Sequence, residues 1–395
     1  MGGLDQLIEK AVQDGVYTGC ALSAVDKSGK LSYAKAFGKT GTTSNAGDFK
    51  LDTVLQIASM TKLLTTIAVL QLVEKGEVGL DDDVVKHIPE LVEQGVLKNA
   101  GDDGKPETVP IKGKLTLRHL LTHSAGCCYD AWNPTIQKVK GYMGKPKQGG
   151  TTMEERALYP LLYEPGTSWV YSTSIDWAGR VLERITGETL DSYMAKNMWP
   201  QLGVKDFTFY PDKHPEMKKR LAELTGRDDK SGRVINYPLP FLNTGSVDCF
   251  GGHGGYSTVE EYIKVLQSIL VNDEKLLEKE TVEQMFKPQL TQESRAALQQ
   301  TVNTPEIVKL FIGDFPDSKQ YDWGLGGILV EKDNEGRRKK NTLIWSGMPN
   351  CFWFIDREAG VCGVFGTQVL PPGDSMVEET IKAFEYDMNE RLSKL

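Results

Sequence analysis

The strongest constraint on the fold is where its two hydrophobic periodicities fall along the chain. Short strand-like runs lie near both ends, and helical spacing fills most of the stretch between them. An N-terminal helix pattern (Leu4, Leu7, Ile8, Ala11, Val12) leads to two such runs, at 20–25 and 31–37, joined by the turn Asp26-Lys27-Ser28-Gly29. Four more runs follow late in the chain, at 327–331, 342–345, 351–355 and 361–365. Their links carry turn residues, as in Asp333-Asn334-Glu335-Gly336 and Asp356-Arg357-Glu358-Ala359-Gly360. Consecutive strands joined this way pair antiparallel. From about residue 80 to 244 the pattern is mostly helical, broken by Gly and Pro loops, notably 141–150, and a last helix is expected over 376–392. The expected fold is α/β (α+β): an antiparallel sheet built from both termini and flanked by helices, with an inserted, mainly helical lobe. Residues 1–79 and 245–395 would form the sheet domain and 80–244 the lobe, with the ligand cleft between them.

Composition narrows the function classes. With 395 residues, 39% of them apolar and 25% charged, the chain can bury a sizeable core, which excludes disorder as its dominant state. The 46 Lys and Arg against 54 Asp and Glu leave a net charge of −8, and no basic run is present, so nucleic acid is not an expected partner. The most apolar stretch, 63–73, is interrupted by Thr65, Thr66 and Gln71 and is too short to span a bilayer, so no membrane partner is expected either. Six cysteines (Cys20, Cys127, Cys128, Cys249, Cys351, Cys362) lack C-x-x-C spacing and read as reduced, buried thiols. The N-terminal pattern is acidic and amphipathic, unlike a signal peptide. Gly2 follows Met1, but Gln6 stands where myristoylation needs Ser or Thr. Ser393-Lys394-Leu395 spells a peroxisomal address, so the expected location is intracellular: peroxisomal through an import receptor, otherwise cytoplasmic.

The chemistry starts at Ser59, which opens the apolar helix of 63–73, with Lys62 three residues later. Positions i and i+3 share a helix face, so hydroxyl and amine can meet. A serine becomes a nucleophile when a base takes its proton, and a desolvated Lys is such a base. Free N–H groups and the positive dipole end at a helix start suit a developing oxyanion. Later, Glu164-Pro165-Gly166-Thr167 precedes an extended piece carrying Tyr171 and then a helix at 175–186, which can aim the phenol into a cleft. Near an ammonium, that phenol is expected to lose its proton below the usual value and serve as base or proton relay. The strand Leu343-Ile344-Trp345 ends in Ser346-Gly347-Met348, where Gly lets the backbone bend close to an acyl group and leaves the Met348 N–H free to donate.

As an ordered set these segments resemble the serine hydrolase superfamily of class C β-lactamases, penicillin-binding D-peptidases and family VIII carboxylesterases, with further likeness at 117–126, 164–166 and 254–258. The resemblance covers essentially the whole chain and is greatest to the fungal polyketide acyltransferases. It implies Ser59 as nucleophile, Lys62 and Tyr171 as the general base pair, and the N–H groups of Ser59 and Met348 as the oxyanion hole. Trp345, Ser346, Gly347, Tyr256 and Trp323 are the expected substrate-binding residues, and other aromatics (Trp132, Trp169, Phe250, Trp353) either extend that wall or pack the core. The implied reaction passes an acyl group from a thioester (acyl-CoA or carrier-protein bound) or an ester to an alcohol of a natural product. No cofactor or metal is required. Two departures stand out: Thr173 replaces the Asn of Y-x-N, and Trp345 replaces the Lys that opens the third motif. The second removes a positive charge and argues against β-lactam substrates. A carboxylesterase would use the same acyl-enzyme, and a non-catalytic ligand-binding protein on the same scaffold is the alternative of a different class.

Three other signals lead elsewhere less well. His119 and His123 have metal-ligand spacing, but Leu120 stands where H-E-x-x-H needs Glu. Nothing marks an orienting group for a Cys127 or Cys128 nucleophile. Gly251-Gly252-His253-Gly254-Gly255 fits no nucleotide-binding pattern.

Overall fold

Strands form where the sequence runs apolar for about six residues between turns, and they assemble from both ends of the chain. The computed structural model describes residues 3–146, 149–237, 243–316 and 319–395. Met1, Gly2, part of the 141–150 loop and the end of the expected lobe at 238–242 lie outside the described residues. The hairpin of β1 (Gly19–Asp26) and β2 (Ser32–Gly38) joins the meander β3 (Tyr321–Trp323), β4 (Ile328–Val330), β5 (Thr342–Gly347), β6 (Cys351–Asp356) and β7 (Val361–Gly366). β1 pairs antiparallel with β7, Ala21 opposite Gly366 and Asp26 opposite Val361. The sheet order is therefore β3-β4-β5-β6-β7-β1-β2.

Helices cover both faces, which is why β5, β6 and β7 are buried along their whole length. Side chains three apart on a strand point to opposite faces. At Gly363 a Cβ would meet Phe384 of α5 (Ser375–Leu392), and at Gly366 it would meet Val259 of α4 (Val259–Val271). These two helices thus lie on opposite sides of the sheet. α1 (Gly3–Asp14) packs beside α5. α2 (Thr61–Glu74) is apolar and buried on almost every side, the mark of a helix enclosed by others. It packs on α3 (Ser174–Thr186), where Gly179 comes close to Thr65. Among the described residues no helix is long and apolar enough to cross a membrane.

Two differences from the sequence expectation have physical reasons. β3 was not expected, because three residues are too few to display alternation. The middle of the chain is less helical than its pattern: Val96–Ala100 pairs with Pro106–Val109, and Thr225–Arg227 with Val234–Asn236. These strands are short and mix exposed with half-buried positions, so they lack the apolar alternation that marks a strand with one buried face.

Behind the sheet, α5 is anchored by charge. Glu385 is buried with Arg337 and Arg338, from the turn between β4 and β5, at 2.5 and 2.6 Å. Removing one partner leaves buried charge uncompensated. Glu385→Ala is expected to lower the unfolding free energy by about 3–5 kcal/mol, read from denaturant midpoints; an unchanged midpoint would contradict this role.

Candidate active site

Ser59 sits on a single 3-10 turn, Ala58–Met60, that feeds directly into α2. The preceding residue, Ala58, is held at φ +42° although it carries a Cβ, and it is buried. Such a conformation survives only where surrounding packing imposes it, and it lifts Ser59 to a half-buried crest. One turn on, Lys62 is fully buried. Its Nζ donates to Gly252 O at 2.7 Å, to Tyr129 Oη at 3.0 Å and to Ser59 Oγ at 3.4 Å. Burial removes water from the ammonium and pushes the Lys62 pKa down to about 7, while the nearby Asp176 charge pulls the other way. At neutral pH a substantial share is therefore free amine. The ammonium can donate to all three oxygens; once it loses a proton, with N–H groups still on Gly252 O and Tyr129, the lone pair is available to Ser59.

Tyr171, just before α3, reaches the same point. Its hydroxyl lies near enough to Ser59 for the serine hydroxyl to favour its phenolate, and it accepts the Trp345 Nε1–H at 3.0 Å. Its ring is enclosed by those of His123 (4.7 Å), Trp345 (4.9 Å) and Tyr129 (5.6 Å). Burial raises the Tyr171 pKa, outweighing the bonds from Ser59 and Trp345 that lower it. This corrects the expectation of a lowered value: burial among the enclosing rings disfavours the phenolate. Tyr171 is thus a neutral phenol, and Lys62 is the group that burial leaves able to accept a proton near neutral pH. The indole that replaces the expected Lys spends its one N–H on Tyr171.

β5 closes the site because of Gly347. A Cβ there would lie 2.3 Å from the Ile57 carbonyl oxygen, so only Gly lets this strand run against the serine turn. Ser59, Tyr171, Trp345, Ser346 and Met348 then line one cavity of about 290 Å³, and Gly347 lies behind its wall. Tyr256 and Trp323 do not line it. Tyr256 packs away from the cavity with Val54 and Met217, and fully buried Trp323 backs Trp345 at 4.8 Å. Tyr256 was expected at the substrate surface from its place in the resembling stretch 254–258 and Trp323 from its aromatic character, neither of which distinguishes a wall from the layer behind it.

Sequence reasoning missed Tyr129, Gly252 and Asp176, and the apolar wall of Leu310, Phe311 and Ile312. Tyr129 carries no local signal beyond a lone aromatic after the Cys pair; only the tertiary fold takes it to Lys62. His119 and His123 do not share a helix face. His119 caps Leu117–Leu121 through a bond from Thr116 N–H, whereas His123 lies past the helix at φ +60° beside Ser172. All six cysteines are buried, and burial pushes the Cys127 thiol up to about 12.

The lone pair on Lys62 and the phenol of Tyr171 define a testable chemistry. Lys62→Ala and Tyr171→Phe are each expected to slow turnover of an activated ester by about 10²–10⁴-fold. Because the protonated amine has no lone pair, kcat/KM should fall as pH drops through about 7. A profile flat down to pH ~5 would remove Lys62 as base.

Comparison with known proteins places this geometry. The β-lactamase family profile matches residues 4–387. The chain is 36% identical to the lovastatin esterase of Penicillium rubens over 99% of this chain and 98% of that protein. It is 33% identical to monacolin J acid methylbutanoyltransferase of Aspergillus terreus, over 97% and 94%. Among solved structures, a simvastatin synthase from Aspergillus terreus (the LovD6 mutant) matches with a TM-score of 0.91 at 33% identity, covering 99% of this chain and 95% of that one. EstCE1, a hydrolase with promiscuous acyltransferase activity, matches at 0.78 with 21% identity, over 97% of each chain, which shows a shared fold. With the profile spanning nearly its whole length and such relatives above 30% identity, the chain belongs to the β-lactamase family.

Proposed function

We propose that this protein is a serine acyltransferase that moves an acyl group from a thioester or ester to an alcohol of a natural product through an acyl-enzyme on Ser59. The observation that carries this reading is the placement of the buried Lys62 Nζ, which bonds Gly252 O and Tyr129 Oη and lies 3.4 Å from Ser59 Oγ, so that its free-amine form can turn a lone pair to that hydroxyl. In the first half-reaction Lys62 takes the Ser59 proton as Oγ attacks the acyl carbonyl. The N–H groups of Ser59 and Met348 receive the oxyanion, a placement supported by the close approach of β5 at Gly347. As the tetrahedral adduct collapses, Tyr171 hands its proton to the departing thiolate or alkoxide and recovers one from the Lys62 ammonium, which lies 4.5 Å from its ring centre. In the second half the acceptor alcohol enters where the leaving group left. It gives up its proton along the same route and attacks the ester, and Ser59 leaves with a proton. Trp345, Ser346 and the apolar wall at 310–312 suit a carbon-rich substrate.

The relatives that transfer methylbutanoyl groups support the transferase reading, and the donor proposed for it is an acyl-CoA or carrier-protein thioester. The 36% identity to a lovastatin esterase favours a second reading, a carboxylesterase on the same acyl-enzyme. Time courses with a 2-methylbutanoyl thioester, with and without monacolin J acid, separate the two. Transfer predicts ester product forming faster than free acid. Acid released at one rate in both reactions, together with hydrolysis of lovastatin, would establish the esterase, and no turnover at all would overturn both.

Peroxisomal import is the finer part of the proposal, supported by the exposure of Ser393, Lys394 and Leu395 beyond α5. An N-terminally tagged fluorescent fusion should be punctate in a fungal cell and become diffuse on Leu395→Asp; diffuse signal from the unaltered chain would contradict import.

A further inference from the structure

The Gly251-Gly252-His253-Gly254-Gly255 run meets the site at Gly252 O, which bonds Lys62, and at His253, which lines the cavity. It is laced along the first turns of α2. Thr65 Oγ1 donates to Gly251 O at 2.7 Å, Lys62 Nζ to Gly252 O at 2.7 Å, and Gly255 N–H to Thr61 Oγ1 at 2.9 Å. The glycines permit this closeness: a Cβ would lie 2.9 Å from Thr65 Cγ2 at Gly251 and 2.8 Å from Thr61 Oγ1 at Gly255. At Gly252 it would lie 2.3 Å from Asp176 Oδ2.

Asp176 clamps the run from the other side. It stands on the first turn of α3, 1% exposed, and its Oδ1 accepts the Gly252 N–H at 2.8 Å. Its Oδ2 has no hydrogen-bond partner among the described residues. A buried carboxylate oxygen without a partner is costly, and such a group persists where its charge acts on a neighbour. The charged and titratable groups around Asp176 and Lys62 are Arg156, His253, His123, Tyr129, Tyr171 and Cys127. His253 Nε2 is 3.9 Å from Asp176 Oδ1. Burial keeps both histidines neutral and the phenols and thiol protonated. Burial raises the Asp176 pKa as well, while Lys62, the Gly252 N–H and Arg156 favour its carboxylate, so Asp176 is the charge that acts on Lys62 and Arg156 acts on Asp176.

We propose that Asp176 is a positioning residue for Lys62: it holds the Gly252 carbonyl on one N–H of the amine, and its charge sets the balance between ammonium and amine. This rests on Lys62 serving as the base. If Gly252 is released, the amine is free to rotate and its lone pair is no longer directed at Ser59 Oγ.

Asp176→Asn keeps an oxygen for the Gly252 N–H and removes the charge, whereas Asp176→Ala removes both. The pH dependence of Ser59 labelling by a fluorophosphonate and of p-nitrophenyl butyrate turnover is compared with the unaltered protein, with thermal melting as a folding check. Loss of the negative charge weakens the ammonium, so the acid limb of the Asn variant should move to lower pH by about one unit. The Ala variant should lose at least about tenfold in kcat with little change in KM, and Asn should restore much of that loss. An Asn limb coincident with that of the unaltered protein would overturn the proposal, as would an Ala variant of full kcat. If the Ala variant does not fold, the Asn limb decides. Unaltered protein that takes no label on Ser59 would refute the nucleophile assignment and this inference together, whereas normal labelling with an unmoved limb refutes this inference alone.

Discussion

The site depends on one unfavourable act, the removal of a lysine ammonium from water. α2 is buried on nearly all sides, so Lys62 enters the core with its helix. Desolvation then favours the free amine. An amine in bulk water would be protonated and useless as a base at neutral pH. Here it keeps a lone pair, and fixed acceptors at Gly252 and Tyr129 decide where that pair points. The phenol of Tyr171, held neutral by the same burial, stands beside them, where the proposed proton route between nucleophile and leaving group runs.

The rest of the fold brings that amine to a reactive serine and a carbonyl. The strained Ala58 raises Ser59 at the mouth of α2, and Gly347 lets β5 pass within contact of Ile57. Neither feature works alone. The sheet that carries β5 is completed by strands from the other end of the chain, and α3 packs against α2 to deliver Tyr171 from the middle. Three distant segments therefore meet only when the whole chain has folded. Trp345 takes part twice, as a wall of the cavity and as the donor to Tyr171.

Features with a local cause were legible in the sequence. The i to i+3 spacing of Ser59 and Lys62 at the head of an apolar helix is such a feature, as are the antiparallel runs at 342–345, 351–355 and 361–365. Those runs are apolar because both faces of their strands are covered. What was not legible depends on contacts between segments. Tyr129 meets Lys62 across 67 positions, and nothing near it in sequence announces that. Tyr256 and Trp323 are aromatic like the wall residues, yet they lie away from it or behind it. The direction of the Tyr171 shift also escaped, because it turns on how many rings surround the phenol rather than on which cation lies near. The glycine run at 251–255 was visible but matched no motif; its meaning lies in the backbone contacts with Thr61, Thr65 and Asp176.

The central claim is that a covalent acyl group resides on Ser59 during turnover. Incubation with an acyl thioester, acid quenching and peptide-level mass spectrometry test it most directly. The account predicts the added mass of one acyl group on the peptide containing Ser59, lost in Ser59→Ala. An adduct on another residue, or turnover unchanged in Ser59→Ala, would contradict it.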